Sequence, residues 1–142
     1  MTPTVVALHL SSASRAPLRR VEQADALLDR GLEGDRHAKP GSRRSVLLME
    51  QEVLDDLGLA AGDVREQVTV RGLDLGALAA GARLRVGGAL LELSEPCAPC
   101  ARMDELRPGL RAAIAGRRGR FVRVVGAGRI AVGDGLVPQP PG

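Results

Sequence analysis

The chain has 142 residues, 44% of them apolar and 26% charged, with a formal net charge of +3. That length and apolar content suffice for one domain with a hydrophobic core and exclude a wholly disordered chain. Phe121 is the only aromatic residue, so the stacking platforms of single-stranded nucleic-acid binding are missing, and the mild, interspersed positive charge carries no nucleic-acid signature.

No run approaches the roughly 20 apolar residues of a membrane span, and the N-terminus shows no basic stretch leading into an apolar core. These features predict a cytoplasmic protein with no membrane partner, in a compartment where thiols stay reduced. Lys39 is the only lysine among 20 basic residues. The positive charge is therefore almost all guanidinium, the better group for bidentate recognition of phosphate or carboxylate.

Residues 4–10 form a β-branched opening strand, followed by a Ser-rich loop that ends at Pro17. Residues 18–24 alternate and read as a second strand, while periodicity leaves residues 24–30 open between strand and helical turn. Residues 31–41 hold three glycines and a proline and read as loop. Residues 45–49 are a buried strand, and the spacing of Val53, Leu54 and Leu57 predicts a helix that stops at Gly58. Residues 65–70 are a strand candidate. Residues 82–86 and 89–93 flank Gly87-Gly88 and predict a hairpin, which delivers the chain into Ser94-Glu95-Pro96-Cys97-Ala98-Pro99-Cys100. A helix is expected over 103–115, interrupted or started at Pro108. Strands follow over 121–125 and 129–132, separated by a glycine turn. The Pro-rich end from Val137 is expected to be a loose tail. Seven or eight short strands with two short helices indicate a mainly β, α+β fold, a barrel or packed pair of sheets in a single domain.

Three features carry chemistry. Cys97 and Cys100, the only cysteines, have the spacing used in thiol–disulfide exchange, metal ligation and sulfur transfer. A thioredoxin-type pair follows a strand and opens a helix within a βαβ pattern; here the strand is present, but the helix is expected only near Met103 or Pro108. A four-ligand zinc site needs both His9 and His37 in addition to both cysteines. A thiolate that accepts sulfur or binds a soft metal needs one cysteine and a positive surround. The bland alternative is a pair of small buried apolar residues.

The second feature is Gly34-Asp35-Arg36-His37. Asp35 reads as a turn residue that accepts from nearby backbone amides. Arg36, His37 and Lys39, with Arg43 and Arg44 behind them, form either an anion pocket or a solvated basic loop. The third is the run from Arg65 to Leu75, where Arg65 and Glu66 pair with each other or with the preceding loop.

In this order these features resemble the MOSC family, the domain at the C-terminus of molybdenum cofactor sulfurases. The matching stretches are 31–37, 65–73, 81–87, 96–100 and 132–134, and the resemblance spans about residues 20–135. It implies a MOSC-type β-barrel with small helices, a core at 20–135 and a tail at 136–142. It also implies a sulfur-carrier or molybdenum-cofactor-handling role centred on Cys100, the cysteine of the family's Pro-Cys pattern. Cys100 then takes sulfur as a persulfide or ligates molybdenum, with Cys97 as a resolving thiol. Arg36, His37, Arg43, Arg44 and Arg71 are the candidates to hold a pterin phosphate or lower the thiol pKa. The sulfur donor is a cysteine desulfurase or another donor. No pyridoxal phosphate is expected, because in larger relatives it belongs to a separate domain. The alternatives are a molybdenum-dependent reductase of N-hydroxylated compounds and a non-catalytic adaptor with inert or zinc-binding cysteines. Two residues depart from the family pattern: Gln67 where asparagine is frequent, and Cys97 where arginine is frequent.

Overall fold

The structure, a computed structural model, describes residues 2–140. It begins with Thr4–Leu10 (β1), Arg19–Val21 (β2), Gln23–Leu27 (β3) and Gly31–Leu32 (β4). Residues 24–30, open between strand and helical turn by periodicity, thus supply most of β3 and the turn that leads into β4. Val46–Glu50 (β5) runs directly into the helix Gln51–Asp56 (α1), and Val68–Arg71 (β6) follows. Arg83–Val86 (β7) and Ala89–Pro96 (β8) form the expected hairpin, pairing Val86 with Ala89 and Arg83 with Glu92. The helices Ala101–Leu106 (α2) and Leu110–Ala113 (α3) come next, then Arg120–Gly126 (β9), Gly128–Ala131 (β10) and Leu136–Gln139 (β11).

The main sheet has the order β11-β7-β8-β9-β5-β6-β1-β2, and a smaller one has the order β10-β3-β4. The main sheet curls until its start meets its end. Val5 N–H donates to Asp134 C=O at 2.9 Å, Gly133 N–H donates to Val5 C=O at 2.8 Å, and a lone bridge joins Thr4 to Gly135. No continuous ladder closes it, so the expected barrel is an open, barrel-like sheet within a mainly β, α+β fold.

β5 positions the site. Its residues Val46 to Met49 are all buried, as suits a strand covered on both faces. Val46 and Leu48 point into the main core with Val68, Val70, Val122 and Val124. Met49 points the other way, into a second core with Leu54, Val64, Met103, Leu110 and Ile114. The helices thus cap the outer face of the sheet. Each fully buried Leu or Ile here contributes about 1.5–3 kcal/mol. Leu47 lies on that same outer face, opposite Phe121 of β9, beyond the edge of the helical cap. Among the described residues no helix is long and apolar enough to cross a membrane.

Three expectations change. Leu136–Gln139, expected as tail, is a strand paired to β7, with Pro138 opposite Leu84; Pro141 and Gly142 lie outside the described residues. Proline is tolerated there because β11 is a sheet edge, where one side of the strand needs no ladder bond. The helix over 103–115 is two helices, because Pro108 holds Arg107 in an extended conformation (φ −158°, ψ 127°). The first of them starts at Ala101, directly after Cys100. The cysteines therefore do sit between a strand and a helix, but β8 has only antiparallel neighbours, so the thioredoxin-type βαβ setting remains missing.

Candidate functional site

The loop after β4 returns to the end of β1 through Asp35. Its side chain is fully buried and accepts from Ser11 N–H at 2.7 Å and His37 N–H at 3.0 Å. The turn reading of Asp35 is therefore right for His37, and the Ser11 bond extends it across the chain. His37 Nδ1 lies 3.0 Å from Asp35 Oδ2. A buried carboxylate can only accept, so Nδ1 carries the proton and Nε2 is the acceptor nitrogen of the neutral ring. Burial pushes the Asp35 carboxyl up, but the bonds from the His37 ring and the two amides outweigh it and hold the group below its ordinary value.

Gln67 completes this network. Its Oε1 accepts from Leu47 N–H at 2.8 Å, and its Nε2 donates to Asp35 Oδ2 at 3.2 Å. The long amide thus ties β5 to the Asp35 loop. Arg36 Nε and Arg65 Nη2 each donate to Ser11 Oγ at 3.3 Å, which brings two guanidiniums to one hydroxyl.

Beside this network lies a cavity of about 310 Å³. Leu47 and Phe121 supply its apolar wall, while Arg36, Arg65, Arg102 and Arg118 supply cations, and His37 and Cys97 also face it. Arg44 lines it too, but is held by Glu95 in a two-pronged pair at 2.9 and 3.2 Å and lies 5.5 Å above the Phe121 ring. By contrast, Arg36, Arg65, Arg102 and Arg118 make no ion pair among the described residues. Burial, then the like charges of Arg102 and Arg36, push the Arg65 guanidinium below its ordinary value.

The two thiols are unequal. Cys97 is half-buried and faces the cavity, whereas Cys100 is exposed and directly precedes the first residue of α2, with no capping bond from its side chain. Cys97 N–H donates to Gly119 C=O at 3.0 Å. Burial pushes the Cys97 thiol above its ordinary range; the Arg118 and Arg44 charges pull the other way, and Cys100 and Glu95 push with it. Arg118 is 8% exposed. It donates from Nη2 to Val64 C=O at 2.8 Å, while its Nε and Nη1 are buried with no partner.

Of the arginines expected at the site, Arg36 and Arg44 reach the cavity with His37. Arg43 lies in a neighbouring groove with Ser94 and Glu95. Arg71 lies at the far end of β6, 3.7 Å from Asp55 beside α1. Neither joins the thiol cavity. Arg65 and Glu66 do not pair with each other: Arg65 reaches Ser11, while Glu66 Oε2 accepts from Gly62 N–H at 3.0 Å and Thr69 Oγ1–H at 2.7 Å. Sequence reasoning missed Arg15 and Arg118. The only local sign of Arg118 is an arginine pair between two glycines, Gly116 to Gly119. Among the described residues no three His, Cys, Asp or Glu side chains gather as metal ligands.

An open barrel-like sheet, capped on one outer face by short helices and carrying a Cys-x-x-Cys loop beside an arginine cavity, is the class of protein this fold and site define. A family model for the MOSC domain matches residues 35–137, and the chain belongs to that family, which is associated with molybdenum-cofactor-related functions. YuaD from Bacillus subtilis superposes with a TM-score of 0.79 at 21% identity, covering 96% of this chain and 94% of that one. YiiM from Geobacillus stearothermophilus gives 0.78 at 21%, covering 97% and 75%, and YiiM from Escherichia coli gives 0.72 at 20%, covering 96% and 70%. At such identities the likeness is one of fold. No curated protein matches the chain in sequence.

Proposed function

We propose that the chain is a sulfur carrier in which Cys100 accepts sulfane sulfur as a persulfide and Cys97 is the second thiol behind it. The observation that carries this reading is the division of the pair: one exposed thiol beside one half-buried thiol in a cationic cavity. An exposed thiol is reachable by the cysteine of a protein donor such as a cysteine desulfurase, and a thiolate is a strong sulfur nucleophile. Cys97 then attacks the inner sulfur of the Cys100 persulfide, which forms the Cys97–Cys100 disulfide and expels sulfide; a thiol reductant restores the pair. Intact mass after incubation with a desulfurase and cysteine tests the reading. C97S, which lacks the second thiol, gains one sulfur atom that is lost on reduction, and C100S gains none. Equal loading of C100S overturns the assignment.

The unpaired guanidiniums favour a second reading in which the cavity serves the molybdenum cofactor. The donor set fits that group. Arg36, Arg65, Arg102 and Arg118, the last with buried unpartnered nitrogens among the described residues, are suited to a pterin phosphate, and a soft thiolate suited to molybdenum is offered by Cys97 inside the cavity or by the exposed Cys100 of the same loop. When bound, the cofactor supplies two-electron redox chemistry, on which reduction of N-hydroxylated compounds depends. The residues of this chain orient the phosphate and exclude water along Leu47 and Phe121. Molybdenum and pterin analysis of protein purified from its native host separates the two readings.

A further inference from the structure

We propose that Cys97 is loaded from inside the cavity by a small dianionic sulfane-sulfur donor, of which thiosulfate is the simplest. This rests on the carrier reading and names the donor that reaches the second thiol.

Access argues for a small molecule. Cys97 is half-buried in a space of about 310 Å³, where a protein donor's cysteine loop does not fit but a five-atom ion does. Charge argues for a dianion. Among the described residues, four guanidiniums face that space without a carboxylate partner, and both nearby acids are committed, Asp35 to His37 and Glu95 to Arg44. Clustered like charges repel one another until an anion joins them.

The cluster is built rather than incidental. Arg118 is buried with two unpartnered nitrogens at the cavity wall. Arg65, which lines the cavity, and Arg15, which lines it from the β1–β2 loop, are two of the three non-glycine residues with left-handed backbones among the described residues, at φ 64° and φ 61°. Such conformations cost of order 1 kcal/mol or more and persist where the surroundings hold them. Two on one cavity wall mark it as a place where arginine is held against local preference.

The wall is also divided in kind. Leu47 and Phe121 offer an apolar surface suited to the polarizable sulfane sulfur, and the guanidiniums offer donors suited to the sulfonate. In the reaction the Cys97 thiol loses its proton, and the thiolate attacks the outer sulfur of thiosulfate. A Cys97 S–S bond forms, the S–SO3 bond breaks, and sulfite leaves with the electron pair. Cys97–SH and S2O3²⁻ give Cys97–S–S⁻ and HSO3⁻, with no external oxidant or reductant. His37, with Nδ1 bonded to Asp35, contributes Nε2 as the proton acceptor among the cavity side chains.

The test compares thiosulfate with a neutral donor, dimethyl trisulfide, by intact mass and sulfite release. With thiosulfate, C100S is expected to gain one sulfur atom with one equivalent of sulfite, and C97S to gain none. Added sulfate, a dianion with no transferable sulfur, should slow loading of the wild type by thiosulfate but not by trisulfide. In R65A and in R102A the ratio of thiosulfate to trisulfide rates should fall at least about tenfold, as expected for one lost charge-assisted contact. Loading of C97S by thiosulfate, or indifference of the wild type to sulfate, overturns this inference and leaves the carrier reading standing. Failure of thiosulfate, trisulfide and a desulfurase with cysteine alike to deliver sulfur to the protein removes the carrier reading and this inference together. The competition experiment needs no variant, so a poorly folding substitution does not shield the proposal.

Discussion

The Cys97 amide donates to the Gly119 carbonyl across 3.0 Å, and this bond registers the reactive loop on a residue that only glycine can supply. Gly119 has φ 97°, and a Cβ there would collide with the carbonyl oxygen of Leu48 in β5. The thiol loop is thus hung on the strand that divides the two cores.

Gly119→Ala should therefore destabilise the protein by about 2 kcal/mol or more, combining backbone strain with a steric clash. Gly116 is the matched control: it also has positive φ, at 80°, but nothing lies within 4 Å of its Cβ position. Gly116→Ala should cost only about 1 kcal/mol. Urea midpoints of the two variants give the comparison, and equal losses would show that the Leu48 contact yields easily.

Glu66 makes a prediction about pH. Its residue is fully buried, and burial pushes the carboxyl above its ordinary range against the opposing pull of the Gly62 amide, the Thr69 hydroxyl and the Arg118 charge. The folded state therefore holds this proton more tightly than the unfolded chain. Stability should fall as pH rises from the ordinary carboxylate value, about 4.3, through the raised folded value. Glu66→Gln has no proton to lose, so the stability difference between variant and wild type should grow with pH across that window. Any fixed cost of the buried amide shifts the curve without tilting it. Urea melts from pH 4 upward read the tilt directly, and parallel curves would contradict a raised carboxyl.

What the sequence shows of this fold follows from how local each feature is. The 83–96 hairpin is legible because clean alternation meets a two-glycine turn, both within reach of a short window. β10 is legible as a strand, but its partner is not. It crosses to β3, pairing Arg129 with Asp25, a contact that no local pattern encodes. β11 hides behind Pro138, because composition cannot say that the strand will be an edge. The site divides the same way. Arg36 and His37 announce themselves by sharing a loop with Asp35. Arg118 arrives from a segment 54 residues beyond its hydrogen-bond partner Val64, and its place beside Cys97 is created only by the fold. Arg43 and Arg44 are neighbours in sequence, yet they serve different grooves, because the chain bends at residues 43–45 before entering β5.

Asp35→Asn tests the network behind the cavity. The carboxylate accepts from two amides, the His37 ring and Gln67 Nε2. An asparagine amide would set a donor against donors and leave at least one buried group unpaired. The expected loss is about 2–4 kcal/mol at neutral pH. Because the wild-type carboxyl is held below its ordinary value, its contribution is present above the unfolded pKa and fades as pH falls through the folded one. The gap between wild type and variant should therefore shrink in acid below about pH 3.9. A pH-independent gap would assign the loss to shape rather than charge.

The Cys97 thiol decides how the cavity works at rest. Burial, the largest influence, raises it, and Arg118 is the strongest force against that rise. In C100S, which isolates this thiol, the rate of alkylation by neutral iodoacetamide should climb with pH and reach half its maximum above the value for free cysteine, about 8.5. Removing Arg118 should move that midpoint still higher, because the thiolate loses its nearest uncommitted cation. Unfolding in urea should return the midpoint to the ordinary value in both proteins. A folded midpoint below that of free cysteine would mean that the guanidiniums outweigh burial and that Cys97 rests as a thiolate. A midpoint above it means that Cys97 rests protonated, so that loading requires His37 or solvent to take the proton before sulfur is transferred.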